Sequence, residues 1–332
     1  MDDNPANNYM NKFNSRYTGI RVLDCTIRDG GLMNDHLFDD KTVKGVYTAC
    51  IEGGIDYMEI GYINSCRIFS ASGYGAWKFC REDDIRRVTG ENDTNLKLSV
   101  MADAEKCDYH TDILPVDHSV LDMIRVATYI HQIPVALDII KDAHYKGYET
   151  TANLMAVSAI NYDDLDKALE LLANSKANTL YLVDSFGSLD LLQTRFLLKK
   201  FRSYAESSGK NVGIHVHNNR QMALANTLEA ISCKADIMDA SMAGCGRGAG
   251  NCQTELLISF LQDSKYHLKP ILQCIQKYIE PLRDKLEWGF NLPYMITGLY
   301  NIHPKIAMQY NKSIDKKDIV KFFDLVKKEM EN

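Results

Sequence analysis

Several common signatures are missing from this 332-residue chain. Its nine cysteines include no Cys-x2-4-Cys pair. A zinc ribbon and a disulfide framework are therefore not expected, and reduced thiols in a cytoplasmic protein are. No apolar run approaches the ~20 residues that span a bilayer, so no membrane partner is expected. Residues 1–18 are polar, lack the apolar region of a signal peptide, and read as a flexible N-terminal tail. The net charge is −6 and no long basic run occurs, which argues against a nucleic-acid partner. No Gly-x-Gly-x-x-Gly follows the first apolar run, which weakens a doubly wound dinucleotide-binding sheet.

What is present is alternation. Hydrophobic residues make up 45% of the chain, enough for a large core. Strand-like runs are read at 20–26, 55–62, 96–102, 123–128, 149–157, 179–184, 212–217 and 237–243. Helical stretches stand between them at 39–52, 76–88, 112–119, 134–146, 163–173, 189–207 and 221–232, and another follows at 253–261. Strands that alternate with helices form parallel sheets, and eight such units make a (β/α)8 TIM barrel. From about residue 265 the alternation stops. Residues 271–286 and 314–329 look helical, with an irregular aromatic stretch at 288–304 between them. The expected organisation is a tail at 1–18, a barrel at 19–264, and a helical C-terminal extension at 265–332.

Barrel enzymes work at the C-terminal ends of their strands, and here those ends are rich in chemistry. His215 and His217 are two apart, so a strand points both to one face. Either they pack as core histidines or they share a cation. The other strand ends bring Arg28-Asp29-Gly-Gly, Glu59, Asn153, Asp184-Ser185 and the glycine-rich Gly244–Asn251. One carboxylate, two imidazoles and a neutral oxygen suit an octahedral divalent cation such as Mn²⁺, Mg²⁺ or Co²⁺ with positions left open. A 2-oxo acid offers a carboxylate and a ketone oxygen to such positions, and the cation stabilises its enolate. Arg28 would add fixed positive charge near that oxyanion. Each residue also has a plainer reading. Asp29 could be a turn residue and Arg28 a partner of Glu59 or Asp184. Asp184 and Asn251 could be caps, and Cys245 and Cys252 packing residues.

Leu23-Asp-Cys-Thr-Ile-Arg-Asp-Gly30, Met58-Glu-Ile-Gly61, Val183-Asp-Ser-Phe-Gly187, His215-Val-His217 and Gly244-Cys-Gly-Arg-Gly-Ala-Gly-Asn251 together resemble the DRE-TIM metallolyases. The chain looks most like their 4-hydroxy-2-oxovalerate aldolase branch. The resemblance implies that Asp29, His215 and His217 hold the metal, with Asn251 a fourth ligand or close to it through water. It implies that Arg28 steadies the enolate or holds the ketone, and that Glu59, Asn153, Asp184 and Ser185 support the substrate. The substrates it implies are a 2-oxo acid and an aldehyde. Those aldolases carry a histidine four residues after the arginine, where this chain has Leu32. The glutamine that the related synthases carry just after Arg-Asp-Gly is missing too. Proton transfer is therefore expected from His36, Tyr294, Tyr300 or His303. Two alternatives stand beside the aldolase: a Claisen-type acyl-CoA-dependent acyltransferase, and a metal-binding pseudoenzyme subunit. A homodimer and a partner dehydrogenase are possible assemblies that no residue decides.

Overall fold

The structure is a computed structural model that describes residues 19–313 and 318–331, so the tail expected at 1–18 lies outside the described residues. Eight parallel strands close into a barrel in chain order, with β1 hydrogen-bonded to β8. They are β1 (Arg21–Asp24), β2 (Tyr57–Tyr62), β3 (Lys97–Asp103), β4 (Met123–Thr128), β5 (Glu149–Leu154), β6 (Thr179–Asp184), β7 (Asn211–Val216) and β8 (Ile237–Ala240). Closure rules out the doubly wound sheet. The helices are α1 (Thr26–Gly30), α2 (Asp40–Glu52), α3 (Glu82–Thr89), α4 (Tyr109–Asp112), α5 (Ile133–Tyr145), α6 (Tyr162–Ala173), α7 (Leu191–Ser207), α8 (Ala223–Ser232) and α9 (Thr254–Leu261). Beyond the barrel come α10 (Leu268–Cys274), α11 (Leu292–Leu299), α12 (Lys305–Asn311) and α13 (Ile319–Glu331). Among the described residues no helix is long and apolar enough to cross a membrane.

Strand periodicity of two sorts the residues. Val22, Met58, Ile60, Ile124, Val126, Leu180 and Ile214 face the helices and join the main core. Leu23, Tyr57, Met123, Tyr181, Val183 and Ile237 fill the barrel interior. Above that plug, Glu59, Arg125 and Asp239 occupy interior positions of β2, β4 and β8, all buried. The interior is thus apolar below and charged above.

Several expected elements end early, each for a local reason. The first strand stops at Asp24, whose carboxylate accepts from Thr26 N (3.0 Å) and Thr26 Oγ1 (2.9 Å) and starts α1. The strand expected at 149–157 stops at Leu154, because Ala156 takes a left-handed φ of 54°. The strand expected through 243 stops at Ala240 and yields to a tight turn in which Ala243 has φ 53°. The helix expected at 76–88 is a short turn at Ala76–Lys78 followed by α3, broken at Cys80 with φ 40°. The helix expected at 112–119 is split by Pro115 into α4 and a turn at Val116–His118. The helix expected at 271–286 ends as α10 and continues as a wide turn and a tight one, with Pro281 at the start of the second.

The stretch expected to be irregular at 288–304 contains a true helix. Asn291 caps α11 by accepting from Tyr294 N at 3.0 Å, and Pro293 sits in its first turn. This extension packs on the barrel's C-terminal mouth. Asn219 Nδ2 donates to Tyr294 O and Thr297 Oγ1, both 3.3 Å, and Asn301 Nδ2 to Ser158 O at 2.8 Å.

Gly213 shows how tightly the interior is built. A Cβ there would stand 2.4–2.6 Å from three ring atoms of Tyr181, and the Arg125 guanidinium lies 4.5 Å from that ring's centroid. Gly213→Ala should therefore destabilise the barrel by about 1–3 kcal/mol. Denaturant melts check this, and an unchanged midpoint would contradict the packing described.

Candidate active site

The site begins where β1 turns into α1. Asp24 anchors the turn, and one helical step then carries Arg28 and Asp29 inward, both buried. Arg28 Nε donates to Glu59 Oε2 and Arg28 Nη1 to Asp29 Oδ1, each at 2.6 Å. Glu59 Oε2 is also paired with Arg125 Nη1 at 2.9 Å. Arg125 Nη2 donates to Asp239 Oδ2 at 2.6 Å. The same oxygen lies 3.0 Å from His215 Nδ1. Charges alternate along this buried chain from Asp29 through Arg28, Glu59 and Arg125 to Asp239, whose carboxylate meets the His215 ring. Burial pushes the Asp29 carboxyl up, but Arg28, His217, His215 and Arg247 hold it well below the usual carboxylate range. Burial likewise opposes ionisation of Asp239, and Arg125 and His215 bring its pKa below the ordinary value.

The partners fix both imidazole tautomers. A carboxylate and a carbonyl only accept, so His215 Nδ1–H donates to Asp239 and His217 Nδ1–H to Gly250 O (3.3 Å). Each histidine then presents the lone pair of Nε2. That of His215 is buried and unpartnered. That of His217 accepts from Arg247 Nη2 at 3.3 Å. Burial above all holds the His217 pKa far below its ordinary value, which keeps the lone pair available. Ligand atoms of Asp29, His215 and His217 all lie within 4.8 Å of one another. Asn251 Nδ2 donates to Asp29 Oδ2 at 2.7 Å, and its Oδ1 is buried without a partner. One carboxylate, two oriented lone pairs and an orphaned amide oxygen fit a divalent cation. A second cluster of Cys25, His215 and Asp239 fits worse. Its thiol donates to Ala240 O and burial pushes its pKa up, while Asp239 is already taken by Arg125 and His215.

Beside these groups lies a cavity of about 70 Å³. Arg28, Asn153, Ser185 and Arg247 give it polar walls, and Leu32, Met101, Ala127, Met155 and Val183 apolar ones. Tyr62 and Tyr129 also line it. Arg28 Nη2 and Asn153 Nδ2 are buried there without partners. Ser185 Oγ accepts from Ala156 N at 2.9 Å.

Other expected residues lie elsewhere. Glu59 does not line the cavity; its Oε2 is paired with both Arg28 and Arg125, and its Oε1 is buried without a partner. Asp184 accepts from Ser188 N and Leu189 N, both 3.1 Å, and so caps the turn after β6 instead of touching substrate. His36 packs edge-on behind Tyr62 at 5.3 Å, with Nδ1 against Gly31. Burial, Lys78 and Arg28 hold its pKa down at about 3. Tyr294 packs under the glycine-rich loop, its ring against Gly248, and Tyr300 packs beside Phe323. His303 stands at the outer rim, with Nε2 3.3 Å from Arg247 Nη1. Sequence reasoning missed Arg247, Arg125, Asp239 and Tyr62. Two of them had a signal: a lone arginine in Met-Ile-Arg125-Val and a lone aspartate in Ile-Met-Asp239-Ala, each in an otherwise apolar strand.

A sequence model described as HMGL-like matches residues 19–278. The chain belongs to the HMGL-like family. This HMGL-like protein is 31% identical over 245 residues to an oxaloacetate decarboxylase of Mycobacterium tuberculosis, covering 73% of this chain and 69% of that one. It is 26% identical over 297 residues to a 4-hydroxy-2-oxovalerate aldolase of Geobacillus genomosp. 3, covering 85% and 84%. Among solved structures it resembles the N-terminal domain of a candidate aldolase from Bacteroides vulgatus, with TM-score 0.74 and 30% identity over 89% of this chain and 98% of that one. The fold is shared with the HMG-CoA lyase of Bacillus subtilis at TM-score 0.67 and 16% identity, covering 80% and 95%.

Asp239 holds His215 in one tautomer, so Asp239→Asn should weaken Mn²⁺ binding about 10–100-fold. Calorimetric titration checks it, and wild-type affinity in the variant would show that Asp239 does not orient the ligand.

Proposed function

We propose that this HMGL-like protein is a divalent-metal-dependent aldolase that cleaves or forms 4-hydroxy-2-oxo acids, with pyruvate and an aldehyde on the other side. One observation carries the reading: the unpartnered Nη2 of Arg28 shares a cavity with two imidazoles that can each turn a lone pair to one cation beside Asp29. The relatives' names support a pyruvate-type lyase. Mn²⁺ or Mg²⁺ fits the mixed nitrogen and oxygen donors, and Co²⁺ is also compatible.

When bound, the cation polarises the ketone as a Lewis acid. The protein supplies the rest. Asp29, His215 and His217 fix the cation's place, and Arg28 Nη2 meets negative charge that develops on the ketone oxygen. Cleavage removes the proton of the 4-hydroxyl, breaks the C3–C4 bond and leaves the electron pair in an enolate. Protonation at C3 then gives pyruvate. Tyr62 and Tyr129 carry hydroxyls on the side chains that line the cavity, and Ser185 Oγ, held by Ala156 N, keeps its own proton to donate, so the proton traffic is assigned to these three groups. The walls beside Arg28 are apolar at Leu32, Met101, Ala127 and Val183, which keeps water away from the enolate. A second reading, decarboxylation of oxaloacetate, passes through the same enolate and is favoured by the 31% identical relative.

Release of pyruvate from 4-hydroxy-2-oxo acids that end in a methyl group or in a carboxylate, followed by NMR, tests the reading. Turnover should vanish with chelator and return with Mn²⁺. Arg28→Met should lower kcat about 10²–10³-fold, as loss of an oxyanion donor does. Full turnover after chelation, or in Arg28→Met, would contradict it.

A further inference from the structure

Arg247 is half-buried at the rim of the cavity, and no carboxylate touches its guanidinium among the described residues. Nη2 donates to Ser185 O at 2.7 Å and to His217 Nε2 at 3.3 Å. Nε is buried with no partner. A partly desolvated cation without a counter-charge is costly unless an anion joins it.

His303 sharpens the point. Its Nδ1 lies 3.0 Å from Lys305 N and its Nε2 3.3 Å from Arg247 Nη1, so both ring nitrogens face donors, and a neutral ring has a lone pair for only one of them. Burial, Arg247 and Lys305 hold this imidazole neutral, with a pKa of about 4. One contact is therefore donor against donor; with the lone pair given to the shorter contact at Lys305 N, Nε2–H faces Arg247 Nη1–H across 3.3 Å with no acceptor between them. An oxygen anion at that point would accept from both.

The metal site adds a second argument. His217 can ligate only through Nε2, the atom that Arg247 Nη2 now covers. Cation binding must therefore free Nη2 from His217. Charge gives a third. In the pocket and the network beneath it, three guanidinium groups (Arg28, Arg125, Arg247) face three carboxylates (Asp29, Glu59, Asp239). With a divalent cation bound, the site carries two positive charges. A monocarboxylate leaves one unbalanced, and a dicarboxylate leaves none.

The geometry points to a dicarboxylate-selective site: Arg247 and His303 clamp a second carboxylate on the aldehyde side of the substrate. The 2-oxo acid end faces Arg28 and the metal ligands, and the far carboxylate takes the place where two donors now meet. The substrate class becomes the 4-hydroxy-2-oxo dicarboxylates, as opposed to methyl-terminated acids. This inference rests on the reaction proposed above for the choice of carbon skeleton, but its test does not depend on turnover.

The test is calorimetric binding of 2-oxoglutarate and 2-oxopentanoate to Mn²⁺-loaded protein. The two differ only by carboxylate against methyl at the far end, and neither has the 4-hydroxyl that cleavage needs. Wild type should bind 2-oxoglutarate at least about tenfold more tightly, the scale of one charge-assisted contact. Arg247→Met should bring the ratio within about threefold, and His303→Leu should lower it while His303→Gln, which keeps a donor, restores it. Equal binding of the two acids by wild type overturns the inference without help from any variant. A preference that survives Arg247→Met overturns it as well. If no 4-hydroxy-2-oxo acid is cleaved but the binding ratio holds, the reaction proposed above falls and the dicarboxylate site stands.

Discussion

The structure depends on one buried chain of alternating charges, Asp29–Arg28–Glu59–Arg125–Asp239, that ends on the neutral imidazole of His215. Such a chain adds little net stability, because desolvation offsets attraction. Removing one member is different, since a buried charge left alone costs about 3–5 kcal/mol. The consequence is positional. Asp29 comes from α1 and His215 from β7, yet each is tied through the same network to Glu59 of β2 and Arg125 of β4. Five separate elements, α1, β2, β4, β8 and β7, are locked to one geometry, and two candidate metal ligands are its termini. The apolar plug below, with Tyr181 under Arg125 and Gly213 giving Tyr181 room, holds the network up.

The C-terminal extension completes the mouth in a different way from that expected. Tyr294 does not reach the cavity; its ring supports Gly248, one residue from Arg247. His303 reaches the rim and meets Arg247 there. The extension thus acts on the site through the glycine-rich loop. Leu32 lines the cavity at the position where the family resemblance led to the expectation of a histidine, and the nearby imidazole, His36, is walled off behind Tyr62.

Much of this was legible in the sequence because it follows from period. Alternating strands and helices imposed the barrel, and the two-residue spacing of His215 and His217 put both rings in one place. The Arg28-Asp29 pair was legible only by resemblance to a family, since a turn reading was equally open. Three things were hidden. Helix α11 was masked by aromatic residues and Gly298 within it, although Asn291-Leu-Pro293 is a start signal. Arg125 and Asp239 looked like single misplaced charges, because their partners lie 114 residues apart in sequence and meet only across the barrel. For Asp184 the sequence left both a cap and a substrate contact open, and the fold decides for the cap by spending its carboxylate on Ser188 and Leu189.

The central claim is that Arg28 and a cation held by Asp29, His215 and His217 stabilise an enolate. Its most direct measurement is exchange of the pyruvate methyl protons with D₂O, followed by NMR. Protein stripped by chelator and refilled with Mn²⁺ or Mg²⁺ is run beside Asp29→Asn. The account predicts exchange that requires both the metal and Asp29, with no aldehyde present. Exchange that persists in stripped protein or in Asp29→Asn, or no exchange with either metal, would contradict it.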